Sequence, residues 1–177
     1  MRHLLPLTLF LAMLGLSGCQ STSTPPLQTV DYVDLERFMG DWYVVANIPT
    51  FLEKNAHNAV ESYRLTSEGS VATTFTFRDG GFDGELKRYE PTGFIEDATS
   101  NAVWGMQFIW PIKADYKIIY LTPEYSQTVI GREKRDYVWV MARTPSIPDD
   151  DMRRIRTLLV EQGYDLDKLQ MVPQRWN

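Results

Sequence analysis

The sequence predicts an all-β fold: an eight-stranded antiparallel up-and-down β-barrel with one C-terminal α-helix packed outside it. Three observations carry this. From Asp41 to Arg143, short runs rich in β-branched and aromatic residues recur at close spacing. Turn chemistry separates many of them: Glu68-Gly69, Asp79-Gly80-Gly81, Asp83-Gly84 and Thr92-Gly93 supply glycines free to take positive φ in tight hairpins. One amphipathic helical segment follows the last run.

In chain order the predicted strands are Trp42–Pro49, Ala59–Thr66, Ser70–Phe77, Glu85–Phe94, Ala102–Trp110, Tyr116–Leu121, Thr128–Arg132 and Tyr137–Arg143. Strands joined by short turns make an antiparallel meander, and closing it removes the exposed edges that invite aggregation. Eight strands enclose a space that side chains fill or that holds one small ligand. The helix is predicted from about Pro148 to Gln162. Pro148 suits the first turn, Asp149, Asp150 and Asp151 put negative charge at the positive end of the dipole, and Gly163 stops it. Met152, Ile155, Leu158 and Leu159 form one apolar stripe, which packs most simply on the outside of the barrel, opposite Arg153, Arg154 and Arg156.

Ahead of the barrel, Arg2 and His3 precede the apolar run Leu4 to Leu16, too short to span a membrane, and then Leu16-Ser17-Gly18-Cys19. This segment resembles the lipobox of bacterial lipoproteins. The resemblance implies that residues 1–18 are a signal peptide and that Cys19 becomes the acylated N-terminus, with the two or more acyl chains that stable anchoring needs. Gln20 in place of Asp implies, by analogy with bacterial sorting, the outer membrane, with the body in the periplasm. Residues 19–33 are the lipidated N-terminus and its connection to the domain at 34–177. Within them 20–31 are polar and Pro-containing and read as a tether, reaching roughly 20 Å.

Removing residues 1–18 leaves 159 of the 177 residues, enough for one domain with its own core, and takes away Arg2 from a net charge of −5. The acidic balance argues against a nucleic-acid partner and against electrostatic adhesion to anionic lipid. Cys19 is the only cysteine, so no disulfide is expected. No enzyme activity is expected either. Once His3 leaves, any nucleophile–histidine scheme must use His57, which sits in the polar stretch Lys54–Asn58, and no Gly-x-Ser-x-Gly elbow is present. Asp149–Asp151 and Asp165-Leu166-Asp167 lack calcium-loop spacing, and no phosphate cradle precedes a helix. No catalytic residue, metal or cofactor is therefore predicted.

Three motifs bear a family resemblance. Gly40-Asp41-Trp42-Tyr43 resembles the G-x-W motif that opens the first lipocalin strand. Ala114-Asp115-Tyr116-Lys117 is similar to the second motif, T-D-Y, with Ala114 in place of Thr, and Arg143 matches the arginine of the third. Their order and spacing resemble the lipocalin family over about residues 34–177, and with the lipobox in front the resemblance is to bacterial lipocalins of the outer membrane. Gly40, Trp42, Asp115 and Arg143 are then structural. A guanidinium over the Trp42 ring closes one end of the barrel, and its fork can satisfy turn carbonyls.

Alternation along the strands predicts the lining. With Trp42 inward, Val44 and Ala46 follow it; Arg143 brings Met141, Trp139 and Tyr137; Tyr116 brings Ile118 and Tyr120; Phe75, Trp104 and Phe108 come from other strands. A β-bulge reverses such an assignment. The lining is aromatic and aliphatic with tyrosine hydroxyls, which suits an acyl chain better than a sugar or nucleotide. Burying a sixteen-carbon chain gains about 12 kcal/mol against water and nearly nothing against a bilayer. Lipids that leave membranes readily, such as fatty acids and lysophospholipids, are the ligands implied, in a storage or transport role that serves membrane maintenance. The competing reading is a solid, ligand-free barrel that displays an interaction surface. Some family members form homodimers, and the strand pattern leaves oligomeric state open.

Overall fold

The computed structural model describes residues 24–176. Residues 1–18, read from the sequence as a signal peptide, and Cys19, read as the acylation position, lie outside the described residues. After a single helical turn, α1 (Leu35–Phe38), come β1 (Gly40–Ile48), β2 (Ala56–Leu65), β3 (Val71–Asp79), β4 (Glu85–Tyr89), β5 (Thr92–Ile95), β6 (Val103–Ile109), β7 (Ile112–Leu121), β8 (Gln127–Gly131) and β9 (Val138–Ala142). Helix α2 (Asp149–Glu161) and a short β10 (Gln170–Met171) complete the chain. Every strand pairing is antiparallel, and β1 pairs with β9 to close the barrel. The predicted architecture is the observed one, an eight-stranded barrel with the helix outside, once β4 and β5 are counted as one interrupted strand.

That interruption is a correction to the single strand predicted at Glu85–Phe94. Pro91 has no N–H for the ladder, and its carbonyl accepts from Thr73 N at 3.1 Å. Strand β5 pairs with β3 and β6, but β4 pairs with β3 alone. The edge of β4 away from β3 is unpaired among the described residues, on a strand that carries Glu85, Lys87 and Arg88. A second divergence, between β1 and β2, is filled. Ala46 and Asn47 pair with Met171 and Gln170 of β10, Asn58 N donates to Pro173 O, and Gln174 Nε2 bridges Val44 O and Ala59 O at 2.7 and 3.1 Å.

Two apolar clusters stand on either side of the wall. The inner one contains Trp42, Val44, Tyr63, Phe77, Trp104, Ile118 and Met141. The outer one joins Val45, Ala46, Ile119, Val129 and Val140 to Ile155 and Leu159 of α2. Gly163, at φ +88°, lets Tyr164 N turn back to Leu159 O and end the helix.

The barrel has two different ends. One is closed by α1, where Arg143 crosses the Trp42 ring and Trp42 Nε1 donates to Phe38 O at 2.8 Å. Gly40 stands in the left-handed region at φ +95°, and a Cβ there would come within 3.3 Å of Arg143 Nη1. The other end is bounded by the loops 49–55, 80–84, 110–111 and 132–137. The sequence reads 20–31 as a tether, but residues 24–33 lie against the barrel. Leu27 and Val33 are buried, Val30 N donates to Ile118 O at 3.0 Å and Val33 N to Ser100 O at 2.8 Å. Buried apolar side chains and strand-like backbone bonds hold a segment whose composition alone gives no such order.

Candidate functional site: the barrel cavity

The inner face fills the closed half of the barrel completely. Trp42, Trp104 and Ile118 have no exposed surface, and Trp104 stacks on Tyr116 at 5.3 Å between centroids. Above this floor lies a cavity of about 210 Å³ that opens at the other end. Phe75, Tyr89, Met106 and Tyr116 form its deep walls, Phe108, Tyr137 and Trp139 its upper walls, and Thr50, Phe51 and Leu52 border its mouth. Small-molecule sites commonly measure roughly 300–1,000 Å³, so this cavity lies just below the common range.

Among the described residues four charged side chains, Glu53, Glu61, Asp115 and Arg132, enter this largely apolar lining. Glu61, on β2, is buried and accepts from the Tyr63 hydroxyl, which lies 2.5 Å from the Tyr116 hydroxyl. Burial pushes the Glu61 carboxyl up to about 7, opposed by the Tyr63 hydrogen bond and assisted by the charge of Glu53. Burial likewise raises Tyr63 and Tyr116 well above the ordinary tyrosine range. Glu53, on the 49–55 loop, accepts from Thr50 N at 3.0 Å and from Trp139 Nε1 at 3.1 Å, and burial raises its carboxyl too. Arg132 is the only cation in the lining among the described residues. Its guanidinium lies 5.1 Å from the Tyr137 ring centroid and 3.5 Å from Asp136, and its buried Nε–H has no acceptor among the described residues. A guanidinium that lines a cavity and keeps one buried donor unpaired is a ready partner for an anionic group.

A family model, described as a lipocalin-like domain, matches residues 33–174. The chain belongs to the lipocalin-like family. It is 26% identical over 177 residues to the outer membrane lipoprotein Blc of Escherichia coli K12, covering 97% of this chain and 98% of that protein. It is 28% identical over 162 residues to temperature-induced lipocalin-1 of Arabidopsis thaliana, covering 86% of each. Among solved structures, insecticyanin of the tobacco hornworm Manduca sexta superposes with a TM-score of 0.67 at 13% identity, covering 88% of this chain and 87% of that one. The cockroach allergen Per a 4 gives 0.64 at 16% identity, covering 84% and 92%. Lipocalins bind small hydrophobic molecules, and the lining described above suits that class.

In this lipocalin, Phe75, Phe108, Tyr116, Tyr137 and Trp139 line the cavity. Val44, Trp104, Ile118 and Met141 also face inward, but they belong to the packed floor rather than to the cavity wall. Ala46 and Tyr120 are corrections, since Ala46 belongs to the outer cluster and Tyr120 packs against it. Register shifts between Val44 and Ala46 on β1, and between Ile118 and Tyr120 on β7, insert one residue each and reverse the alternation beyond it. Gly40, Trp42 and Arg143 meet at the closed end, whereas Asp115 lies at the mouth half. There it accepts from Glu133 N at 2.5 Å and so ties β7 to the 132–137 loop.

Residues absent from the sequence-based lining include Glu61, Thr73, Tyr89, Met106, Glu53 and Arg132. Strand parity could have found Glu61, which shares a face with Ala59 and Tyr63, but charged residues are rarely buried. His57 lies partly exposed, with Nδ1 2.9 Å from Asn55 O and its ring edge-on to Phe82.

Proposed function

We propose that this lipocalin is an acyl-chain carrier of the bacterial outer membrane. Acylated Cys19 anchors it, the barrel faces the periplasm, and fatty acids or lysophospholipids are taken up in the service of membrane maintenance. The observation that carries the reading is the division of the cavity. Phe75, Tyr89 and Met106 form a narrow apolar depth, and Arg132, with an unspent N–H, lies in the lining. A single chain occupies the depth, and a carboxylate or phosphate meets the guanidinium. Each buried methylene is worth about 0.8 kcal/mol, so chain length sets most of the affinity and the head group sets orientation. The lipobox-like segment and the likeness to Blc, named an outer membrane lipoprotein, support the location.

The test begins with full-length protein purified from membranes and extracted with organic solvent, with any released lipid identified by mass spectrometry. The stripped protein is then titrated with palmitate and with lysophospholipid, following tryptophan fluorescence. Among the described residues Trp139 is the only tryptophan in the cavity lining, so the response should be saturable, one to one, and largely lost in Trp139→Phe. Absence of bound lipid and of saturable change would establish the ligand-free reading.

A further inference from the structure

Most large apolar side chains left in solvent by this fold are gathered at one end. The β6–β7 hairpin ends in Phe108-Ile109-Trp110-Pro111-Ile112, in which Ile109, Trp110 and Ile112 are 72%, 82% and 69% exposed. Phe51, 77% exposed, and Leu52 stand on the 49–55 loop, which borders the same cavity mouth as Phe108. Four adjacent large apolar residues at the tip of a two-residue turn exceed the scattered exposure that surfaces ordinarily show. Packing gives no reason for them: Ile109 and Ile112 pair across the turn and belong to neither apolar cluster.

The path of the N-terminal segment supplies the second observation. Arg135 Nη2 donates to Pro25 O at 2.6 Å, and Leu27 N donates to Glu133 Oε1 at 3.1 Å. Both partners belong to the 132–137 loop, whose Arg132 and Tyr137 line the cavity. The chain therefore leaves the barrel at its open end. From Thr24 back to Cys19 there are five residue steps, at most about 18 Å of extended chain. A ten-residue strand such as β7 runs about 34 Å. An anchor at Cys19 thus brings the mouth, and not the closed end, to the bilayer.

We propose that the β6–β7 tip, with Phe51 and Leu52, is a membrane-docking surface that seats the cavity mouth on the lipid bilayer. The orientation rests on the acylated Cys19 proposed above. Trp110 and the isoleucines beside it enter the interfacial zone, where an indole is favourably placed, and Lys113 follows them at the headgroup level. A single-chain lipid then passes between membrane and cavity without crossing bulk water. The unpaired edge of β4 lies on the side where Tyr89, Pro91 and Phe108 line the cavity, and the path enters there.

The test uses the full-length protein with its natural anchor, in vesicles of phosphatidylethanolamine and phosphatidylglycerol containing a fraction of acyl-brominated lipid. Bromine should quench tryptophan fluorescence at least twofold more in the native protein than in Trp110→Phe, while Trp176→Phe keeps the native response. Ile109→Glu should slow transfer of a fluorescent lysophospholipid from vesicle to protein at least threefold, with its affinity for the monomeric lipid unchanged. Equal quenching in Trp110→Phe, or a Trp110 shielded from bromine inside a protein dimer, would overturn the proposal. Intact mass separates the two readings. An unacylated Cys19 overturns anchor and orientation together, an acylated protein with unquenched Trp110 overturns the docking surface alone, and an empty cavity leaves the quenching intact.

Discussion

The guanidinium of Arg143 lies over the Trp42 ring, its central carbon 3.8 Å from the ring centroid, and joins the last barrel strand to the first. The same fork donates to Asp41 O at 2.8 Å and to the carbonyls of Arg37, Phe38 and Met39 at 2.8–3.0 Å. These carbonyls end α1, so one side chain satisfies a helix terminus, covers an indole and pins the closed end of the barrel. Arg143→Ala should cost about 3 kcal/mol of unfolding free energy, read by urea denaturation, because charge-assisted bonds are lost and carbonyls are left unpaired. Arg143→Lys should recover less than half, since an ammonium cannot reproduce the fork. Palmitate affinity should change by less than about twofold, because the cavity begins above the packed floor.

Glu61 makes stability depend on pH in an unusual direction. Its carboxyl is raised from 4.5 to about 7 in the fold, so between those values the native protein holds a proton that the unfolded chain has released. Stability should therefore fall as pH rises from about 4.5 through 7, and this contribution levels off above 7. The difference corresponds to about 3 kcal/mol at most. Glu53, also raised by burial, acts in the same sense. Glu61→Gln should melt higher than the native protein at pH 8 and about equally at pH 4.5. A native melting temperature that rises between pH 5 and 8 and is unchanged by Glu61→Gln would contradict this.

The same carboxylates bear on ligand choice. An acyl carboxylate is ionised throughout pH 6–8, and Glu61 loses its proton in that interval, so a second negative charge appears in the lining beside the ligand. A penalty of about 1 kcal/mol, roughly fivefold in affinity, is expected for palmitate between pH 6 and 8. Glu61→Gln should flatten that dependence, and a neutral monoacylglycerol of equal chain length should not show it. Arg132→Gln should weaken palmitate by about tenfold while leaving the monoacylglycerol nearly unchanged. Fluorescence titrations of the four combinations read all of these.

What the sequence discloses follows from how local each cause is. Trp42 and Arg143 are legible because a motif and strand parity agree on them, and the helix stripe is legible because Ile155 and Leu159 recur at helical period. Ala46 and Tyr120 are misread because the bulges at Val45 and Ile119 leave no compositional mark: Val-Val-Ala and Ile-Ile-Tyr look like uninterrupted strand. Pro91, by contrast, announces its break in a way a closer reading of the run could use. Glu61 and Glu53 are absent from the sequence-based lining because charged residues are rarely buried, and only the closed barrel shows them buried in it. The order of residues 24–33 depends on partners more than 80 residues away, such as Ile118 and Glu133, which no window of sequence brings together.

The N-terminal segment leads to a prediction at Gly131. A Cβ built there would stand 2.6 Å from Tyr164 Oη, 3.0 Å from Leu27 Cδ2 and 3.2 Å from Ile119 Cδ1. Tyr164 cannot simply swing away, because its hydroxyl accepts from Arg132 N at 2.8 Å, and Leu27 is held by its bond to Glu133. Gly131→Ala should therefore cost about 1–3 kcal/mol and speed hydrogen exchange at Leu27 and Val30, whose packing against β8 and β7 is disturbed. Tyr164→Phe alone should cost about 1 kcal/mol through the lost hydroxyl. Because that hydroxyl is also the nearest obstacle to the added methyl, the double variant should be more stable than the sum of the single losses predicts, by about 1 kcal/mol. Strict additivity in a denaturation cycle would mean that the strain falls on Leu27 instead. The exchange rates of residues 27–30 would then rise equally in Gly131→Ala and in the double variant.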